Sequence, residues 1–250
     1  MVTAISGLLH YVAPEVIACK RADKLITVSK SLRETIRQYY HRDAKDIFPV
    51  LNGVGRDLFA FYEEKKFEEE TLSVLFVGRL HFAKGILALV QNFISRPDLR
   101  VKFYILGDGP DLYKLRCLAE RDERITILGH LGRTVLGEYL KLTQVFLFPS
   151  LHEGFGLSLV EAMASGHACI AYDMPVNREV LGEAGIYVPY NQPIRMLDAL
   201  EQCVLKRHYI RQKADAAHEK ATQYSWDKCG QDMEQALTQI YKEIAFRGQH

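Results

Sequence analysis

The chain has 250 residues, 48% of them hydrophobic and 25% charged, with a formal net charge of +1. It is long enough to bury a proper core as one large domain or one ordinary domain with extensions, and its near-neutral balance supplies no global field for nucleic acid or an anionic membrane. The five cysteines (Cys19, Cys117, Cys169, Cys203, Cys229) are odd in number and scattered without a CxxC or Cys/His cluster, which argues against structural zinc and for reduced thiols in the cytoplasm.

The opening MVTAISGLLHYVAPEV is too short and too interrupted for a signal peptide or a membrane span. The first fifty residues then carry one strand candidate, LITV from Leu25 to Val28, with Ser29 as N-cap of a helix from Ser31 to Tyr40. The run FYEEKKFEEE, Phe61 to Glu70, reads as a solvated charged connector. From residue 72 short apolar runs recur: LSVLFV (Leu72 to Val77), VKFYIL (Val101 to Leu106), ITIL (Ile125 to Leu128), VFLF (Val145 to Phe148), CIAY (Cys169 to Tyr172) and IYV (Ile186 to Val188). They are rich in β-branched and aromatic residues and partly non-alternating, as strands buried on both faces of a parallel sheet are. Helical patterns such as ILALVQNFI, LYKLRCLAERD and LSLVEAMA lie between them. The expectation is an α/β chain with a doubly wound, Rossmann-like parallel sheet. Ligands of such sheets bind at the carboxyl ends of the strands, here Gly78 to Gly85, Gly107 to Pro110 and Ser150 to Gly156. The chain closes on SWDKCGQDMEQALTQIYKEI, an amphipathic helix with Met233, Leu237, Ile240, Tyr241 and Ile244 on one face.

The sharpest chemical signal runs from Pro149 to Gly166, PSLHEGFGLSLVEAMASG. It reads as a strand end, a glycine-bearing loop and a short helix stopped by Gly166. Gly154 and Gly156 allow close approach of backbone to ligand, and the helix start favours a phosphate. Glu153 in the loop and Glu161 inside the helix can touch different parts of one elongated ligand; a glycine turn with two surface glutamates is the plainer reading of this segment alone. The second signal, Gly78-Arg79-Leu80-His81-Phe82-Ala83-Lys84-Gly85, places two cations in a loop at the same sheet edge. Arg79 and Lys84 could neutralise a departing diphosphate without a metal; two solvated cations are the plainer reading of this loop alone. Asp108 of LGDGP reads as a turn residue with Gly109, and no G-x-x-x-x-G-K-[ST] loop is present.

Together, GRL…KG, LGDGP and PS-x-x-EGFGL-x-x-x-EAMA-x-G, in order and properly spaced, resemble the retaining glycosyltransferases of family four, whose GT-B fold has two Rossmann-like domains. The resemblance extends from ADKLITVS through LNGV to the YSW at Tyr224 to Trp226. It implies that Glu153 faces the donor sugar and Glu161 takes the ribose hydroxyls. It also implies that Arg79 and Lys84 hold the pyrophosphate, with Gly78 in the same loop, while Gly154, Phe155, Gly156 and Leu157 wrap sugar and phosphate. ILGHL, with Gly129, sits where the base is held. The implied donor is a UDP- or GDP-linked sugar, with no catalytic metal and no further cofactor.

Departures are His167 directly after Gly166, and Gln144 in place of an acidic residue before VFLF. Glu179 of NREV matches a position near the donor sugar but also reads as a helix-start acid, and His152 as a packing or capping residue. The resemblance further implies that residues 1–48 are a remnant of an acceptor domain and 49–70 a hinge and linker. Residues 71–225 then form the donor domain and 226–250 a terminal helix. The expected partners are a nucleotide sugar, an acceptor sugar or lipid-linked glycan, and a second copy or a separate acceptor-binding subunit. The alternative is a binding module or split subunit that holds a nucleotide sugar without turnover.

Overall fold

The structure is a computed structural model that describes residues 16–63, 65–67 and 71–247; the opening residues 1–15 and parts of the charged connector lie outside that range. The chain divides into two compact units, one running from Val54 to Ser225 and the other taking the described residues up to Gly53 together with those from Trp226.

The larger unit is built on a six-stranded, wholly parallel sheet. Its strands are β3 (Leu72–Val77), β4 (Val101–Leu106), β5 (Ile125–Gly129), β6 (Val145–Phe148), β7 (Ala168–Tyr172) and β8 (Ile186–Val188), in the spatial order β5-β4-β3-β6-β7-β8. The connecting helices are α3 (Ile86–Ile94), α4 (Leu112–Ala119), α5 (Arg133–Leu142), α6 (Leu157–Ala164) and α7 (Pro175–Leu181), followed by α8 (Pro193–Leu205) and α9 (Arg207–Ala221). The inner strands read as apolar runs because both faces are covered: β6 and β7 are buried at every residue. One core joins Leu72, Val74, Phe76, Phe93, Phe103, Val145, Ile170 and Leu197, each worth about 1.5–3 kcal/mol of transfer free energy if fully buried. From β3 the chain winds outward to β4 and β5, then returns to the other side of β3 for β6, β7 and β8. The topological switch therefore lies between β3 and β6, the place where sheets of this kind bind ligands.

In the smaller unit β1 (Leu25–Thr27) pairs in parallel with β2 (Ile47–Pro49), and α1 (Lys30–Tyr40) lies between them in sequence. Ser29 caps α1, its side chain accepting from the Leu32 amide at 3.0 Å. β2 is a strand that the sequence reading lacks; three residues ending in proline carry too little periodicity to be seen. Along the last helix, α10 (Trp226–Arg247), the apolar residues expected on one face are divided. Ala236 is buried and Met233, Ile240 and Glu243 are half-buried, whereas Leu237, Tyr241 and Ile244 are exposed. Glu243 forms an ion pair with Lys24, which also binds Asp46 at 2.8 Å. These two carboxylates raise the Lys24 pKa above the usual amine value, hydrogen bonding outweighing burial. Among the described residues no helix is long and apolar enough to cross a membrane, and no disulfide joins the cysteines.

The described residues of the connector preceding β3, in α2 (Ala60–Glu63) and beyond, are not solvated throughout: Glu63 and Lys66 are exposed, but others are not. Phe67 is buried, and so is Lys65. The Lys65 ammonium donates to the carbonyls of Leu140 at 2.6 Å and Thr143 at 2.5 Å, closing the carboxyl end of α5. It also lies 3.2 Å from Nε2 of His167, whose Nδ1 is 3.0 Å from the Ala162 carbonyl oxygen. Burial pulls the pKa of both Lys65 and His167 well below the usual range, and the Lys65 charge lowers that of His167 further. Gln144, the other departure, also fastens main chain: Oε1 accepts from the Ser73 amide at 2.9 Å, and Nε2 donates to the carbonyls of Lys66 and Leu142.

Candidate functional site

Two loops meet at the switch point. The loop after β3 runs through Gly78-Arg79 to a 3-10 turn over Phe82–Lys84, and the loop after β6 runs from Pro149 to Gly156. They are joined by the Leu151 amide, which donates to the Ala83 carbonyl at 2.8 Å. Gly85 makes the closest approach: at φ 66° it lies against Pro149, and a Cβ there would run into the Pro149 carbonyl oxygen. Only glycine meets both conditions. Gly156, at φ 91°, caps α6 without a side-chain bond, so the first amides of that helix have no capping side chain.

Lys84 and Glu153 are brought together directly. The Lys84 ammonium forms an ion pair with Oε1 of Glu153, and the Ser150 hydroxyl donates to the same oxygen at 2.8 Å. The side chains retain 29% and 11% of their exposure, so the glutamate is largely shielded and the lysine reaches it from the open side. Arg79 does not join this pair. It is exposed and lines an open cleft of about 550 Å³ with Gly78, Gly107, Asp108, Gly109 and His130, a volume within the usual range of small-molecule sites. The two cations thus occupy adjoining parts of one sheet edge and do not form a single clamp in the ligand-free chain.

Glu161 sits on α6 about a turn inside. Burial raises its pKa above the usual carboxylate value, the nearby Arg133 guanidinium opposes this, and Asp57 adds to it. Arg133 itself pairs with Asp57 at 2.9 Å. No donor among the described residues is bonded to the Glu161 carboxylate, so a desolvated acceptor is left to a ligand's hydroxyls. Phe155 is buried with its ring edge-on to Tyr224, 5.6 Å between centroids, and holds the glycine loop from beneath, while Leu157 is exposed. Gly129 ends β5 at φ 70°, its carbonyl accepting from the Gly107 amide at 2.8 Å. Asp108 accepts from the Gly109 amide at 2.6 Å, as a turn residue does, while also facing the cleft. His152 is exposed, and Glu179 is half-buried in α7. Sequence reasoning placed Ser150 and His130 within site segments but gave neither a role of its own, and it missed Tyr190, whose hydroxyl reaches the Leu151 carbonyl. Ser150 stood three residues before Glu153 and could have been found; Tyr190 is 39 residues downstream of its partner and left no local signal. No group of three or more acidic, histidine or cysteine residues suited to a metal occurs among the described residues.

Comparison with known proteins adds the following. Residues 71–206 match the family model described as Glycosyl transferases group 1. Alpha-D-kanosaminyltransferase of Streptomyces kanamyceticus is 31% identical over 68% of this chain and 45% of its own. Phosphatidyl-myo-inositol mannosyltransferase of Mycobacterium tuberculosis is 29% identical over 81% of this chain and 56% of its own. The chain thus spans about half the length of these curated relatives. Among solved structures, sucrose-phosphate synthase of Thermosynechococcus elongatus superposes with a TM-score of 0.77 at 21% identity, covering 93% of this chain and 62% of that one. Anabaena HepE in complex with UDP gives 0.77 at 17% identity, covering 92% and 69%. Both likenesses concern the fold.

Proposed function

This chain belongs to the group 1 glycosyl transferases, and from that premise we propose that it is the donor-binding half of a retaining, metal-independent transferase acting on a UDP- or GDP-linked sugar. The observation that carries the reading is the pairing of Lys84 with Glu153 across the switch point, beside the uncapped start of α6. In transfer, the bond from the anomeric carbon to the diphosphate oxygen breaks and its electron pair stays on the diphosphate. Lys84, Arg79 and the α6 amides stabilise that charge as it develops. Glu153 is placed for the sugar and Glu161 for the ribose hydroxyls, with Gly78, Gly154, Phe155, Gly156 and Leu157 around sugar and phosphate and Gly129 near the base.

The acceptor is a sugar or a lipid-linked glycan, in keeping with the mycobacterial relative, whose name makes it a phosphatidyl-myo-inositol mannosyltransferase. The exposed Leu237, Tyr241 and Ile244 of α10 suit a second copy or an acceptor-binding subunit. The cytoplasm is the compartment that suits cysteines without disulfides.

Thermal unfolding with UDP, GDP, ADP and their sugars, each with and without excess EDTA, tests the reading. One base is expected to stabilise the chain by about 2.7 kcal/mol at a hundredfold excess over Kd, through binding to the folded state alone, with no loss in EDTA. Stabilisation by none of them, or only with magnesium or manganese, defeats it. Binding without transfer to any acceptor supports the alternative of a nucleotide-sugar-binding subunit. Glu161→Ala is expected to weaken nucleosides more than free pyrophosphate in calorimetric titration, because only the ribose supplies donors to that carboxylate. An equal loss for both would remove Glu161 from the ribose.

A further inference from the structure

Tyr190 follows β8 in the turn that leads into α8. The turn is firmly set. The Gln192 amide donates to the Pro189 carbonyl at 3.3 Å, Asn191 adopts a left-handed φ of 55°, and Pro193 opens the helix. The ring stands edge-on to Tyr172, 6.0 Å between centroids, and Tyr172 is buried at the end of β7. Turn and ring together aim the phenol at the glutamate loop, where its hydroxyl donates to the Leu151 carbonyl at 3.1 Å. The same residue's amide is already held by Ala83. Leu151 is therefore tied at both ends of its backbone, to the loop after β3 and to the turn after β8. It stands between Ser150, which binds the Glu153 carboxylate, and the glutamate itself.

We propose that Tyr190 is a positioning residue that fixes the Leu151 peptide and so holds Glu153 at the sugar end of the donor site. This rests on the donor-binding reading given above. The hydroxyl touches neither Lys84 nor Arg79, so its loss bears on the sugar and leaves the diphosphate contacts in place. Half of the Tyr190 side chain is solvent-exposed, and Tyr190→Phe keeps the ring packing on Tyr172 while deleting only the donor.

Two measurements on the purified chain judge the proposal. In ligand-free amide hydrogen exchange, Tyr190→Phe is expected to speed exchange across 151–153 by about two- to tenfold, the worth of one neutral hydrogen bond, with the amides of β6 and β7 unchanged as internal controls. Unchanged exchange at 151–153 overturns the anchor, as does acceleration shared equally by β6 and β7. In calorimetry with UDP against UDP-glucose and GDP against GDP-mannose, the variant is expected to lose affinity for the nucleotide sugar by a similar factor while keeping that for the nucleoside diphosphate. Equal change in both overturns the positioning role and leaves the donor reading standing. A wild-type chain that binds neither pair sinks the donor reading and the sugar-positioning role with it, while the exchange result still judges the anchor by itself.

Discussion

Lys84→Ala is expected to weaken nucleoside diphosphate binding more than Arg79→Ala does, with each costing about 1.5–3 kcal/mol, the worth of a charge-assisted hydrogen bond, and Lys84 at the upper end. The asymmetry follows from what each cation touches. Arg79 is exposed on its cleft, and removing it takes away one planar donor. Lys84 is paired with Glu153, and its removal also leaves a shielded carboxylate facing the incoming phosphates. Glu153→Gln in the Lys84→Ala background should therefore recover part of the loss, a coupling that a double-mutant cycle reads directly. Calorimetry at fixed ionic strength gives all four affinities. Strictly additive effects of the two substitutions would show that the ion pair has no part in diphosphate binding.

Lys65→Ala is expected to cost about 3–5 kcal/mol of folding stability in urea denaturation. The substitution strips a donor from the Leu140 and Thr143 carbonyls and from His167, at about 1–3 kcal/mol for a buried group left unsatisfied, and leaves the volume of the aliphatic stem empty. Lys65→Met keeps most of that volume and should cost less; equal losses would mean that the lost hydrogen bonds account for the whole effect and packing for none of it. The same cluster makes stability depend on pH. His167 is held well below its ordinary pKa by burial and by Lys65, so the unfolded chain binds a proton that the folded chain refuses. Stability therefore rises with pH through that window and is lost as pH falls below about 6.5, with a slope of up to about 1.4 kcal/mol per pH unit. His167→Gln should flatten the slope between pH 7 and 5.

The parallel sheet was legible because strands covered on both faces must be apolar throughout, and LSVLFV, VFLF and CIAY have no other reading at that spacing. Loops after such strands are where glycines and charges acquire meaning, which is why Gly78 to Gly85 and Pro149 to Gly156 stood out. What stayed hidden was pairing across distance. Nothing local distinguishes Lys84, which meets Glu153, from Arg79, which does not. A run dense in glutamate and lysine likewise concealed Lys65 and Phe67, since burial of one lysine depends on carbonyls 75 and 78 residues away. On α10 the apolar stripe divided: Met233 and Ile240 lie half-buried beside Ala236 and Glu243, whose partner Lys24 is far off in sequence, while Leu237, Tyr241 and Ile244 stay exposed.

Lys65 also has a consequence for chemical labelling. Acylating reagents consume the unprotonated amine, and burial favours that form at Lys65. Yet no reagent reaches it while α5 and β7 remain closed around it. Its modification must then wait for an opening of that seam, so the rate at which mass spectrometry finds the adduct is a clock for that event and for its free energy. Surface lysines label on the reagent's schedule; this one labels on the protein's.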